Sequence, residues 1–264
     1  MYSAFQLAKK YIKYFTSASN GKGHGVHSPF VFDFINNILL DKKSYTSFDA
    51  IEGRRSELLN SKQVIEIEDF GAGSTKLPFK TRVVKDTAKL SLKSKKYSQL
   101  IFRIIKYFKS QQIVELGTSF GVTTSYMASA SEGRVYTFEG ASSIAYIAKQ
   151  NFQSLGLTDI EVTEGDFAKT LKGKLNQIGP VDLAFLDGNH RKEPTLEYFE
   201  LFKKHTNEHS ILIFDDIHWS EGMEEAWQII KNDPMVTLTI DLFFIGIVFF
   251  RNEFKEKQDF VIRF

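Results

Sequence analysis

The sequence has no cysteine, and that absence removes disulfides, thiolate zinc sites and cysteine nucleophiles together. It also lacks any run approaching the roughly 20 apolar residues of a membrane span; even residues 1–15 set Lys9, Lys10 and Lys13 among their apolar neighbours. The chain therefore reads as soluble and cytoplasmic. Acidic residues are scarce in one part only. Residues 1–110 hold 20 Lys and Arg against 9 Asp and Glu, and residues 111–264 hold 14 against 23, so a net charge of +2 hides segments of +11 and −9. Such a division suits a basic extension that attracts an anionic substrate, nucleic acid or a lipid surface. It equally suits two segments that attract each other.

What is present is enough chain, 264 residues of which 42% are hydrophobic, for one substantial core and an appendage. Its organising stretch is residues 112–140. Ile113 to Leu116 reads as an apolar strand, Gly117 to Gly121 as a glycine turn, Val122 to Ser129 as a helix, and Arg134 to Phe138 as a second strand that ends in Glu139. A strand, glycine turn and helix with an acid about twenty positions on is how an α/β sheet holds a nucleotide: the backbone closes on the ligand and the carboxylate takes two ribose hydroxyls. The turn is not G-x-G-x-x-G, however. A carboxylate, Glu115, precedes its first glycine, which sits badly beside a pyrophosphate and well beside an ammonium. S-adenosylmethionine (SAM) offers an amino-acid head and a sulfonium in place of phosphates, and is the preferred ligand.

Glu115-Leu-Gly117-Thr-Ser119-Phe-Gly121 also resembles the first motif, E-x-G-T-x-x-G, of the class I SAM-dependent methyltransferases. The resemblance implies that Glu115, Gly117, Ser119 and Glu139 bind the cofactor. It implies the same of Asp166 and Phe167, which follow the third strand (Ile160 to Thr163), where the family holds the adenine. With no cysteine nucleophile, methylation at cytosine C5 is excluded as the reaction.

The remaining alternation supports that fold. Ser142 to Leu155 is helix, Val181 to Leu186 strand, Thr195 to Lys204 helix, Ser210 to Phe214 strand and Met223 to Lys231 helix. Val236 to Phe243 and Gly246 to Arg251 lie too close together for a helical crossover and predict an antiparallel hairpin. The expected class is α/β: a doubly wound, mostly parallel seven-stranded sheet, Rossmann-like, with that hairpin at its end. The expected domains are a basic, mainly helical extension over residues 1–110 and a methyltransferase domain over residues 111–264. Within the extension, helical spacing covers residues 3–16, Phe30 to Leu40, Arg54 to Asn60 and Thr87 to Phe108. The glycine-rich loop with His24 and His27 either closes over a substrate or caps two helices. Asp69-Phe-Gly71-Ala-Gly73 imitates the glycine turn, but Pro78 spoils the helix that should follow. Residues 64–85 therefore read as an exposed, lysine-rich loop.

Ligands of open α/β sheets bind beyond the carboxyl ends of the strands, and Asp187 and Asp215-Asp216 both fall at such ends. On neighbouring strands about 4.8 Å apart, three carboxylates repel unless a cation neutralises them. A hard divalent ion, magnesium first, resolves this with Asp187, Asp215 and Asp216 as ligands. The pattern looks like the metal-dependent O-methyltransferases of the catechol and caffeoyl-coenzyme A type. His190 stands where that family has a lysine base, and Asp215-Asp216-Ile-His218-Trp219 stands for its D-N-x-x-W. Asp-Gly-x-His followed by Asp-Asp is also similar to the sugar and macrolide O-methyltransferases. The resemblance makes His190 and His218 candidate bases, places Asp187 against cofactor as well as metal, and puts Trp219 against the substrate. The expected reaction is methyl transfer from SAM to a hydroxyl of a small-molecule acceptor. The alternative is an RNA or other nucleic-acid methyltransferase that uses the basic extension. A homodimer is left open. An iron site of two histidines and a carboxylate is set aside, because it leaves Glu115, Glu139 and Asp166 unemployed.

Overall fold

A computed structural model describes residues 1–23, 27–66 and 81–264. His24, the Asp69 to Gly73 imitation and Pro78 lie outside the described residues. Two compact units divide the chain, Met1–Asp41 with Ile178–Phe264, and Lys42–Gln177. This division differs from the 110/111 boundary expected from the sequence.

The first unit opens with helices α1 (Ala4–Ser17) and α2 (Pro29–Phe34), the latter running into a π-helical turn, Ile35–Leu39. The second unit follows with α3 (Ser47–Asn60), β1 (Val64–Glu66), β2 (Thr81–Val83), α4 (Val84–Ser91) and α5 (Lys95–Phe108). Strands β1 and β2 pair antiparallel, with Ile65 opposite Arg82, and Ile65 is buried. Of the exposed loop expected over residues 64–85, this corrects the described ends, 64–66 and 81–85: Ile65 and Val84 each find a place in the core cluster of this unit, and 67–80 lie outside the described residues. The single helix expected from Thr87 to Phe108 is broken, because Leu92 turns extended (ψ 123°) and α5 restarts after Ser94.

The unit continues with β3 (Gln112–Leu116), α6 (Val122–Ala130), β4 (Arg134–Glu139), α7 (Ser142–Ser154), β5 (Ile160–Glu164) and α8 (Phe167–Ile178). Strands β3, β4 and β5 pair parallel, with Glu115 in register with Thr137 and Glu139 with Glu164. Ile113, Val114 and Leu116 are fully buried, the near-continuous apolar run of a strand covered on both faces. Helix α8 was not foreseen. It buries only Leu171 and Leu175, a stripe too narrow to stand out among its lysines.

The first unit resumes with β6 (Leu183–Leu186), α9 (Lys192–Lys203), β7 (Ile211–Asp215), α10 (Glu221–Asn232), β8 (Leu238–Asp241), β9 (Ile245–Phe249) and β10 (Gln258–Val261). Strands β6 and β7 pair parallel, β9 pairs antiparallel with both β7 and β8, and β10 pairs parallel with β8. The expected hairpin is therefore present, and the fold is the doubly wound, mostly parallel α/β class. Strands β3 to β10 number eight rather than seven. The extra one, β10, reads Gln-Asp-Phe-Val and is only four residues long.

Candidate functional site

In the second unit, the glycine turn is set by backbone conformation. Gly117 and Gly121 take φ of 98° and 79°, the left-handed region open to glycine at little steric cost. A Cβ at Gly121 would also clash with the edge of the Phe152 ring. Ser119, at φ 48°, accepts that conformation without being glycine, and its N–H donates to Glu139 Oε2 at 2.8 Å. The other oxygen of Glu139 accepts from the N–H of Ala141 at 3.0 Å. Burial raises the Glu139 pKa, and the backbone N–H groups of Ala141, Ser119 and Gly140 oppose the rise.

Glu115 is fully buried. Its Oε2 accepts from Thr124 at 2.5 Å and from Thr137 at 2.6 Å, and Thr137 shares a further hydroxyl contact of 2.6 Å with Thr118. Its Oε1 has no partner among the described residues. Desolvation pushes its pKa up to about 8, against the two threonine bonds. Asp166 Oδ1 accepts from the Ala168 N–H at 3.0 Å, so Asp166 caps α8. Phe167 meets Phe138 edge-on, with centroids 6.4 Å apart.

In the first unit, Leu186 and Phe214 are register partners, so Asp187 and Asp215 leave adjoining strands at matching positions. One ligand atom each from Asp187, His190 and Asp215 lie within 4.8 Å of one another. His190 Nε2 stands 3.5 Å from Asp187 Oδ1. The turn that carries it back has Asn189 at φ 58°. Asp216, expected in this group, is not part of it. It takes φ 53° and donates its N–H to the Phe244 carbonyl at 2.7 Å.

A family model described as a methyltransferase domain matches residues 114–217. Over that stretch the chain is similar to a methyltransferase domain. Solved structures similar to the chain include a Bacillus cereus O-methyltransferase in complex with SAH, 20% identical, covering 83% of this chain and 97% of that one at a TM-score of 0.54. The O-methyltransferase TomG of Streptomyces achromogenes, involved in tomaymycin synthesis and solved with SAM, is 18% identical over 84% and 96% at 0.55. The SAH-bound methyltransferase PaMTH1 of Podospora anserina is 12% identical over 96% and 98% at 0.58. At these identities the likeness shows the fold alone, the mostly parallel α/β sheet that the chain shares with these methyltransferases. No curated protein matches the sequence.

The remaining candidates, His218 and Trp219, lie just beyond the matched residues. Both ring nitrogens of His218 face carboxylates: Nδ1 lies 3.0 Å from Glu224 Oε1 and Nε2 2.8 Å from Asp241 Oδ2. Burial lowers the His218 pKa, but Asp241 and then Glu224 more than offset it, so the net shift is upward. An imidazole held this way has no open nitrogen for an incoming proton. Trp219 is partly buried, and its carbonyl accepts from the Tyr2 N–H at 3.1 Å. A residue missed by the sequence reading is Asn151, which is 2% exposed. Its Nδ2 donates to the Phe120 carbonyl in the glycine turn at 2.8 Å, while its Oδ1 accepts from Arg54 Nε at 3.2 Å. An asparagine on the buried face of a helix, seven residues after Ile144 in an apolar pattern, was the available signal.

Proposed function

We propose that the chain transfers the methyl group of SAM to a hydroxyl of a small-molecule acceptor. The observation that carries this reading is the closed glycine turn of the second unit, where Glu139 accepts the Ser119 N–H. Each carboxylate oxygen has more than one acceptor site, so Glu139 can hold the turn and still accept two ribose hydroxyls. Gly117 and Ser119 supply backbone at the turn, Asp166 and Phe167 serve the adenine, and Glu115 serves the ammonium. The O-methyltransferases of Bacillus cereus and Streptomyces achromogenes, solved with SAH and SAM, favour a hydroxyl acceptor over a nucleic-acid base.

Asp187, His190 and Asp215 would hold a divalent cation. Two carboxylates and one imidazole with ligand atoms within 4.8 Å fit such an ion. The nitrogen donor suits manganese, iron or zinc better than the all-oxygen shell magnesium prefers. When bound, the cation would lower the pKa of an acceptor hydroxyl. His190 then serves as ligand rather than base.

The test is calorimetric titration with SAM, followed by mass spectrometry of hydroxylated small molecules and of RNA incubated with enzyme and cofactor. Methyl transfer to a small hydroxyl compound supports the reading. Transfer to RNA alone, or no SAM binding, overturns it.

A further inference from the structure

Helix α1 is amphipathic twice over. Its inner side packs Leu7, Tyr11 and Tyr14 against Phe243, Phe244 and Val261, and Lys10 is tied to Glu224 at 2.8 Å. A capping box between Ser3 and Gln6 fixes its start, and the Tyr14 hydroxyl donates to the Ile262 carbonyl near its end. The helix is therefore held firmly by one side. The other side bears Phe5, Ala8, Ile12 and Phe15, spaced three, four and three residues apart as on a single helical face. Phe5 is 79% exposed, Ile12 63% and Phe15 49%.

Packing does not account for this stripe, since the same helix already buries a different one. Its borders are cationic. Lys9 and Lys13, both exposed, stand one turn apart along one edge, and the Arg263 guanidinium lies 5.1 Å from the centre of the Phe15 ring. Residues 1–32 contain four lysines and no acidic residue.

We propose that this outer face of α1 rests on an anionic lipid surface, with Phe5, Ile12 and Phe15 in the interfacial layer and Lys9, Lys13 and Arg263 among the headgroups. An apolar stripe flanked by cations is what an in-plane interfacial helix needs, and anionic lipid attracts each basic residue close to the surface. A second copy of the chain is a poorer occupant: a two-fold contact of this stripe upon itself would bring the lysine edges of two helices together with no acid in either to pair them. Among the described residues no helix is long and apolar enough to cross a membrane, so the contact is peripheral.

The experiment is co-sedimentation of the full chain with extruded vesicles, either phosphatidylcholine with phosphatidylglycerol or phosphatidylcholine alone. Binding to the mixed vesicles at low salt, falling about tenfold or more with added salt, with lipid lacking phosphatidylglycerol, and in the double variant Phe5→Ser/Ile12→Ser, supports the proposal. Circular dichroism melting shows whether that variant keeps its fold, and Lys9→Gln/Lys13→Gln gives a second arm that leaves the apolar residues untouched. No sedimentation with mixed vesicles overturns it, as does equal binding by both variants. A dimer in analytical ultracentrifugation that Phe5→Ser/Ile12→Ser abolishes, without vesicle binding, assigns the face to a second copy instead.

Discussion

The backbone N–H of Ser119 donates to Glu139 Oε2 at 2.8 Å, so the acid at the tip of β4 also holds the turn that follows β3. One side chain thereby sets the loop and, in the proposed function, receives the ribose. Glu139→Ala would lose two charge-assisted bonds to the ribose, worth about 1.5 to 3 kcal/mol each, and would release the Ser119 amide. SAM affinity should fall at least about tenfold by calorimetry, with Glu139→Gln losing less. Wild-type affinity in the alanine variant would remove Glu139 from the cofactor site.

Asn151 acts on the same turn from α7. Asn151→Leu fills the space but leaves the buried Phe120 carbonyl without the Asn151 donor, while Arg54 keeps Glu57; an unsatisfied buried polar group costs about 1 to 3 kcal/mol. The melting temperature should drop by several degrees, about 2 to 4 °C per kcal/mol for a chain of this size. The Gly117 to Gly121 turn should also bind SAM more weakly. If neither changes, the bond to Phe120 has no part in holding the turn.

The element that organises the fold was readable because its signals are local: β-branched residues in β3, two glycines at positive φ, and an acid at the next strand's end. Asp187 and Asp215 were readable for the same reason, each closing an apolar strand. What the sequence hid depends on distant partners. His218 looked like a base until Asp241, 23 positions on, closed its Nε2. Asp216 looked like a ligand because it adjoins Asp215, but its left-handed backbone sends its N–H to Phe244 and the cluster takes His190 instead. Strand β10 has a polar, four-residue sequence, and only its pairing with β8 makes it a strand.

Glu115 should leave a mark on stability against pH. Its pKa is about 8 in the fold and about 4.3 in an unfolded chain, so the folded protein holds a proton that the unfolded one releases. Its contribution is therefore complete below about pH 4.3 and lost as pH rises through about 8. Glu115→Gln, which keeps acceptor bonds from Thr124 and Thr137 without ionising, should flatten the decline between those limits in denaturant titrations. A slope identical to wild type would mean that Glu115 ionises freely.

His218 gives a separate window. Its pKa is raised by Asp241 and Glu224 against the opposing effect of burial, so its contribution is fully present below the unfolded value of about 6.5 and fades as pH climbs through the higher folded value. His218→Gln should be less stable than wild type in acid, with the gap narrowing above neutrality. A gap that widens with pH would show that the neutral imidazole is the form the fold selects.

The acidic cluster makes the sharpest demand on catalysis. Asp187 and Asp215 leave paired strands at matching positions, and His190 stands 3.5 Å from Asp187, so the three present a donor set that a divalent cation would bridge. Chelation by EDTA should stop methyl transfer while SAM binding through Glu115, Glu139 and Asp166 persists. Manganese should restore activity at lower concentration than magnesium, because one of the three donors is an imidazole. Asp215→Ala should lose turnover and keep cofactor affinity, and His190→Asp, which makes the donor set all oxygen, should shift the preference toward magnesium. Full activity in EDTA would remove the cation and, with it, the electrostatic reason for a hydroxyl acceptor.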